Sequence, residues 1–149
     1  MLKYLTFKQR QFLLVGFTWI CVASPYWPDA ISFILVITTG KVLENSIYFF
    51  VANFLVPPLH ITWMLAMTDF LFKEKQKVLM TIFTIEAVIF ETVFFSIYFT
   101  DYTLIGTRIS VFVVEWGLFI DLYLLFSILF FLIIGLLFAK ESLHSQNKP

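Results

Sequence analysis

Residues 47–72 read IYFFVANFLVPPLHITWMLAMTDFLF, residues 73–77 read KEKQK, and residues 78–100 read VLMTIFTIEAVIFETVFFSIYFT. Each apolar run exceeds the ~20 residues that cross a hydrocarbon layer ~30 Å thick. The five-residue charged turn between them is too short for anything but an antiparallel pair of neighbouring helices. Working outward, residues 12–39 and 116–139 form two more apolar stretches with almost no charge. The fold class that follows is all-α: a polytopic transmembrane helix bundle in a single membrane domain over 1–149. Its four spans cover about 7–24 with an extension to 39, 45–72, 78–100 and 114–139, followed by a polar tail at 140–149.

Composition supports this class. Hydrophobic residues make up 60% of the chain and charged residues 13%, too little polar surface for a water-soluble domain of this size. Net charge is zero and no basic stripe occurs, so nucleic acid is not an expected partner; the lipid bilayer is. The single Cys21 excludes an internal disulfide and a cysteine-based zinc cage, and no metal or other cofactor is expected.

Lysine and arginine positions set the orientation. With both termini on one side, eight of the ten basic residues gather there, and only Lys41 and Arg108 fall opposite. The positive-inside rule then makes both termini cytoplasmic in a multi-pass protein of the cell membrane. Lys3, Lys8 and Arg10 ahead of an apolar run suggest a signal peptide, but Pro25 directly after Ala23-Ser24 disfavours cleavage. A retained anchor is expected.

Two proline clusters interrupt the spans. Pro25 and Pro28 admit either one long kinked helix to residue 39, or a helix ending near Ser24 followed by a short re-entrant or interfacial helix over 28–39. Pro28 suits the first turn of a helix and Gly40 its stop, which favours the second reading. Pro57-Pro58 predicts a kink in the second span. Residues 101–108 read as an outer loop around Gly106.

The residues that carry chemistry lie inside the spans. Glu86 and Glu91 occupy the third span, Asn53 and His60 the second, and Asp121 the start of the fourth. Thirteen Leu, Ile, Phe and Val residues in the third span supply roughly −4 to −8 kcal/mol of insertion free energy, and two central carboxylates cost about +5 to +7 kcal/mol. That helix needs partners. Five residues place Glu86 and Glu91 about 140° apart, so they do not share a face, whereas Asn53 and His60, seven apart, do. Matching depths predict a contact between His60 and Glu91. One reading makes these groups interhelical glue; the other makes Glu91, His60, Asn53 and Glu86 a ligand, proton or cation site. Asp69 is expected to pair with the Lys73 cluster.

No zinc-protease, nucleophile-elbow, P-loop or dinucleotide motif occurs, and no catalytic residue is assigned. A Ser/His dyad would need a serine at the depth of His60; Ser127 fits that depth but lacks a glycine-rich setting. A non-enzymatic sensor, scaffold or subunit is expected, as a homo-oligomer or with another membrane subunit. The alternative is a proton- or ion-linked transporter acting through Glu91 and His60 in an oligomer.

The order of Ala23-Ser24-Pro25-Tyr26-Trp27-Pro28, Ile31-Ser32-Phe33, Thr68-Asp69-Phe70-Leu71 with Lys73-Glu74-Lys75-Gln76-Lys77, and Phe138-Ala139-Lys140-Glu141-Ser142 resembles multi-pass membrane proteins of archaeal genomes that have no assigned activity. The resemblance implies a helical membrane protein. It also implies further helices beyond the last motif, so that this chain is a shortened member or is completed by a partner.

Engineered thiols test the orientation. Labels at residue 75 and at the C-terminus are expected from the same face of the membrane, and a label at residue 41 from the opposite face.

Overall fold

The computed structural model describes residues 10–146; Lys3, Lys8 and Lys148 of the charge count, and residues 7–9 of the expected first span, lie outside them. Helix α1 (Arg10–Ala23) leads through a 3-10 turn at Ser24–Tyr26 into α2 (Trp27–Thr39). Helices α3 (Asn45–Asn53) and α4 (Val56–Leu71) return beside them. A second 3-10 turn at Lys73–Lys75 leads to α5 (Gln76–Asp101). A hairpin of β1 (Gly106–Ser110) and β2 (Val113–Trp116) precedes α6 (Leu118–Gln146). Among the described residues, four helical rods are long and apolar enough to cross a membrane: Arg10–Thr39, Asn45–Leu71, Lys73–Leu104 and Leu118–His144.

The first rod bends without reversing. Ala23 and Tyr26 both keep right-handed helical dihedrals, so 27–39 continues the rod and packs along α3 rather than forming a separate surface helix. The prolines explain the turn. Pro25 has no N–H for the Cys21 carbonyl four residues back, and the Ser24 hydroxyl donates to that carbonyl at 2.7 Å. Pro28 likewise cannot reach the Ser24 carbonyl, which accepts from the Trp27 N–H instead. Gly40 stops α2 in the left-handed region at φ 68°, as expected of a helix-ending glycine. The second rod breaks at Phe54–Leu55, where Pro57 and Pro58 in the first turn of α4 leave the preceding turn without donors.

Half of the most apolar window of the second rod is buried, against 22%, 17% and 17% for the others, so α3 and α4 form the centre. Thr18 of α1 donates to Thr62 of α4 at 3.0 Å, and Thr62 donates to the Pro58 carbonyl. At one end of the bundle Asp69 accepts from Arg10, Gln11 and Gln76. This corrects the expected pairing of Asp69 with the Lys73 cluster: the 3-10 turn carries Lys73 and Lys75 outward, and Asp69 faces α1 and the start of α5. Phe70 against Phe138 brings the latter part of α6 to the same end.

The opposite end departs from a purely helical reading. Residues 106–116 form an antiparallel hairpin, pairing Gly106 with Trp116 and Thr107 with Glu115, where an outer loop and an earlier helix start were expected. The segment is rich in β-branched and aromatic residues, which suit a half-buried ribbon. Arg108 fastens it, donating to the Leu43 carbonyl at 2.7 Å, to Ser32 Oγ at 3.0 Å and to the Val111 carbonyl, with its guanidinium 4.6 Å from the Tyr48 ring centre. Beneath the hairpin Tyr48, Phe49, Phe90, Phe94, Ile105 and Ile120 form one apolar cluster; toward the other end Met64, Ala66, Met67, Phe130 and Ile134 form a second.

Gly117 turns the hairpin into α6. A Cβ there would lie 2.0 Å from the Leu104 carbonyl oxygen, a backbone atom that cannot swing away. Gly117→Ala is therefore expected to cost about 1–3 kcal/mol or more, read as a lowered thermal midpoint in detergent. Gly135→Ala, which meets nothing within 4 Å, should leave the midpoint unchanged or slightly raised.

Candidate functional site

His60 lies between the two apolar clusters, on α4 just past the Pro57-Pro58 break, with no exposed surface. The rings of Phe83, Phe126 and Phe130 surround it at 6.4, 5.4 and 5.2 Å between centres. Both ring nitrogens nevertheless have polar neighbours. Nε2 lies 2.9 Å from Ser127 Oγ on α6. Nδ1 lies 3.2 and 3.4 Å from the two carboxyl oxygens of Glu86 on α5, and 3.3 Å from the Tyr123 hydroxyl on α6. One imidazole thus joins three helices.

The local sequences explain the convergence. Tyr123 and Ser127 are four residues apart, so one face of α6 presents both. On α5, Phe83, Glu86 and Phe90 fall three and four residues apart and share the face toward α4 and α6. Phe90 stacks on Tyr123 with ring centres 3.7 Å apart, which holds the phenol beside the imidazole.

Proton bookkeeping limits what this group can do. Ser127 has one hydroxyl proton and donates it to the Tyr123 carbonyl at 2.8 Å, the back-bond that serines make inside helices. With its proton on that carbonyl, the Ser127 oxygen accepts from His60 Nε2–H; in the opposite tautomer Ser127 donates to Nε2 and Nδ1–H faces Glu86. In a neutral imidazole of the first tautomer Nδ1 is a bare acceptor, open to the Tyr123 hydroxyl, which also bonds the Glu86 carboxyl group, and repelled by a carboxylate. In that tautomer the close approach of Glu86 calls for one more proton between Nδ1 and the carboxyl group; in the other, Nδ1–H already faces it. With that proton the pair is neutral overall; without it a net negative charge sits among phenylalanines, at high cost.

The backbone around Ser127 differs from the setting of a serine nucleophile in a hydrolase. There the hydroxyl donates to the imidazole and backbone N–H groups receive the oxyanion. Here Ser127 lies well inside α6, where backbone N–H groups are engaged in the helix. Among the described residues no group of three or more His, Cys, Asp or Glu could hold a metal ion.

Of the four residues expected to form a site, the structure joins His60 and Glu86 and separates Glu91 and Asn53 from them. The expected His60–Glu91 contact is absent. α5 turns Glu86 toward His60, and Glu91, well round the helix, lines a cavity of about 310 Å³ against Pro57, Pro58 and Thr84. One Glu91 carboxyl oxygen is buried with no hydrogen-bond partner. Asn53 donates to the Phe49 carbonyl at 2.9 Å, within its own helix. The Phe54–Leu55 break spoils the seven-residue registry that would have aligned it with His60. Tyr123 was not anticipated; its four-residue spacing from Ser127 was the available signal.

A larger cavity, about 730 Å³, opens beside the site between α1, α4, α6 and the hairpin. Ser127 and Leu59 are on its wall, and Asp29 and Tyr48 also line it. No protein family matches the chain, and no curated protein or solved structure is similar to it.

Two substitutions separate the His60 site from the Glu91 cavity. Ser127→Ala strands the His60 donor in an apolar cage and is expected to cost about 1–3 kcal/mol. Glu91→Leu removes a buried orphan oxygen, so the thermal midpoint in detergent should hold or rise.

Proposed function

We propose that this chain is a multi-pass membrane protein acting as a non-enzymatic, proton-responsive sensor or subunit module, with His60 and Glu86 holding one exchangeable proton within the bundle. The observation that carries this reading is the fully buried imidazole placed 3.2 Å from the Glu86 carboxyl group while its other nitrogen faces Ser127. Glu86 keeps 22% of its side chain exposed, whereas His60 has no exposed surface. Gain or loss of that proton changes the charge at a point where α4, α5 and α6 meet, so it biases how those helices pack.

Membrane insertion is part of the proposal. Phe99, Leu118, Ile128 and Ile37 are each more than 60% exposed, and apolar side chains face outward from every rod. Soluble monomers rarely expose contiguous apolar patches beyond a few hundred Å². The charge distribution supports cytoplasmic termini, with Arg10 and the Lys73–Lys75 turn at one end of the bundle and Arg108 at the other.

A proton-linked carrier is the second reading. It is favoured by one feature, the position of Ser127 on the wall of the 730 Å³ cavity while it also contacts His60. Vesicles containing the protein that carry no proton current or pH-driven flux would retire it.

Nitrogen NMR of histidine-labelled protein tests the main reading, with the only other histidine removed by His144→Asn. His60 Nε2 is expected to carry a proton, and Glu86→Gln to shift the Nδ1 resonance toward that of a neutral ring. A bare Nε2 beside a protonated Nδ1, the arrangement that activates a serine hydroxyl, would overturn the proposal.

A further inference from the structure

The 730 Å³ cavity contains a feature that the proton site leaves unused. Its lining is apolar along Val22, Leu59, Ile128 and Leu132, and Asp29 is its one charged group. Asp29 accepts a 2.7 Å hydrogen bond from the Tyr48 hydroxyl through one carboxyl oxygen. Among the described residues no cation lies within ion-pair distance of it. The nearest cation above Tyr48, Arg108, directs its N–H groups to Leu43, Ser32, Ser110 and Val111 instead. Asp29 is half-buried, and the cavity it lines with Tyr48 also carries the aromatic side chains of Tyr26 and Trp116.

A lone carboxylate among aromatic rings, at the edge of an apolar volume, is matched by one ligand chemistry. A protonated amine satisfies the carboxylate and lies against ring faces that attract cations. A hydrocarbon body fills the remainder, and the volume is within the ~300–1,000 Å³ of small-molecule sites. A fatty carboxylate would meet like charge, and a fatty alcohol would leave the carboxylate without a counter-ion. We infer that this cavity binds an amphipathic amine, with its cationic head on Asp29 and its hydrocarbon chain along α4 and α6. The inference stands apart from the proton site, since it uses neither His60 nor Glu86.

Native mass spectrometry on the intact chain in detergent, with dodecylamine, dodecanol and dodecanoate offered together, tests it. Dodecylamine is expected to bind about ten-fold or more above either competitor. Asp29→Asn should erase that preference while apolar binding persists. Ile128→Trp narrows the cavity from its outward-facing wall and should weaken all three ligands, which keeps the test decisive if the Asp29 variant does not fold. Competition by phosphatidylethanolamine would identify the amine as a lipid headgroup, and its failure to compete would identify a free amine; either outcome supports amine recognition. Equal binding of the three probes, an unchanged preference in Asp29→Asn, or undiminished amine binding in Ile128→Trp would overturn the inference.

Discussion

A buried imidazole with polar groups on both nitrogens is the constraint around which the bundle is arranged. An apolar helix packs on its neighbours in many rotations with little difference in energy. A hydrogen-bonding ring in a phenylalanine cage does not tolerate that freedom. His60 requires α5 to present Glu86 and α6 to present Ser127 at the same depth. Tyr123 and Phe90 then stack beside it, and the two apolar clusters form on either side. The proton reading comes from the same ring, because its Nδ1 lies beside the Glu86 carboxyl group in a phenylalanine cage.

The proline breaks and the hairpin shape the space around that ring. Pro25 and Pro28 bend the first rod, and Ser24 and Trp27 supply the donors that the prolines withhold. Pro57 and Pro58 offset α4 from α3 and bring His60 to the centre. Arg108 fastens the hairpin to Ser32 and Leu43 at one end, over the Tyr48 ring. Together these leave a cavity whose wall includes Ser127 of the His60 cluster and Asp29.

Hydropathy made the four rods legible, because length and apolarity are local properties of the chain. Gly40 as a helix stop was legible for the same reason: a positive φ at a helix end selects glycine. The hairpin was not, since strands of five and four residues beside long helices carry little periodic signal. Position along each rod could be counted from the chain and placed His60 level with the acids of the third span. Rotation about each helix axis could not be counted, and rotation is what selects Glu86 over Glu91. The partner of Asp69 depended on a long-range meeting with Arg10, 59 residues away, which no local pattern encodes. The Asp29–Tyr48 contact has the same origin, across a bend and a helix reversal.

The most direct measurement is a double-mutant cycle on unfolding free energy in detergent, using His60→Phe, Glu86→Leu and the combined variant. If the imidazole and the carboxyl group are bound to one another, their coupling should exceed about 1 kcal/mol, as for residues in one hydrogen-bonded network. Additivity within about 0.5 kcal/mol would mean the two side chains do not interact, and the account of the bundle's centre would fail.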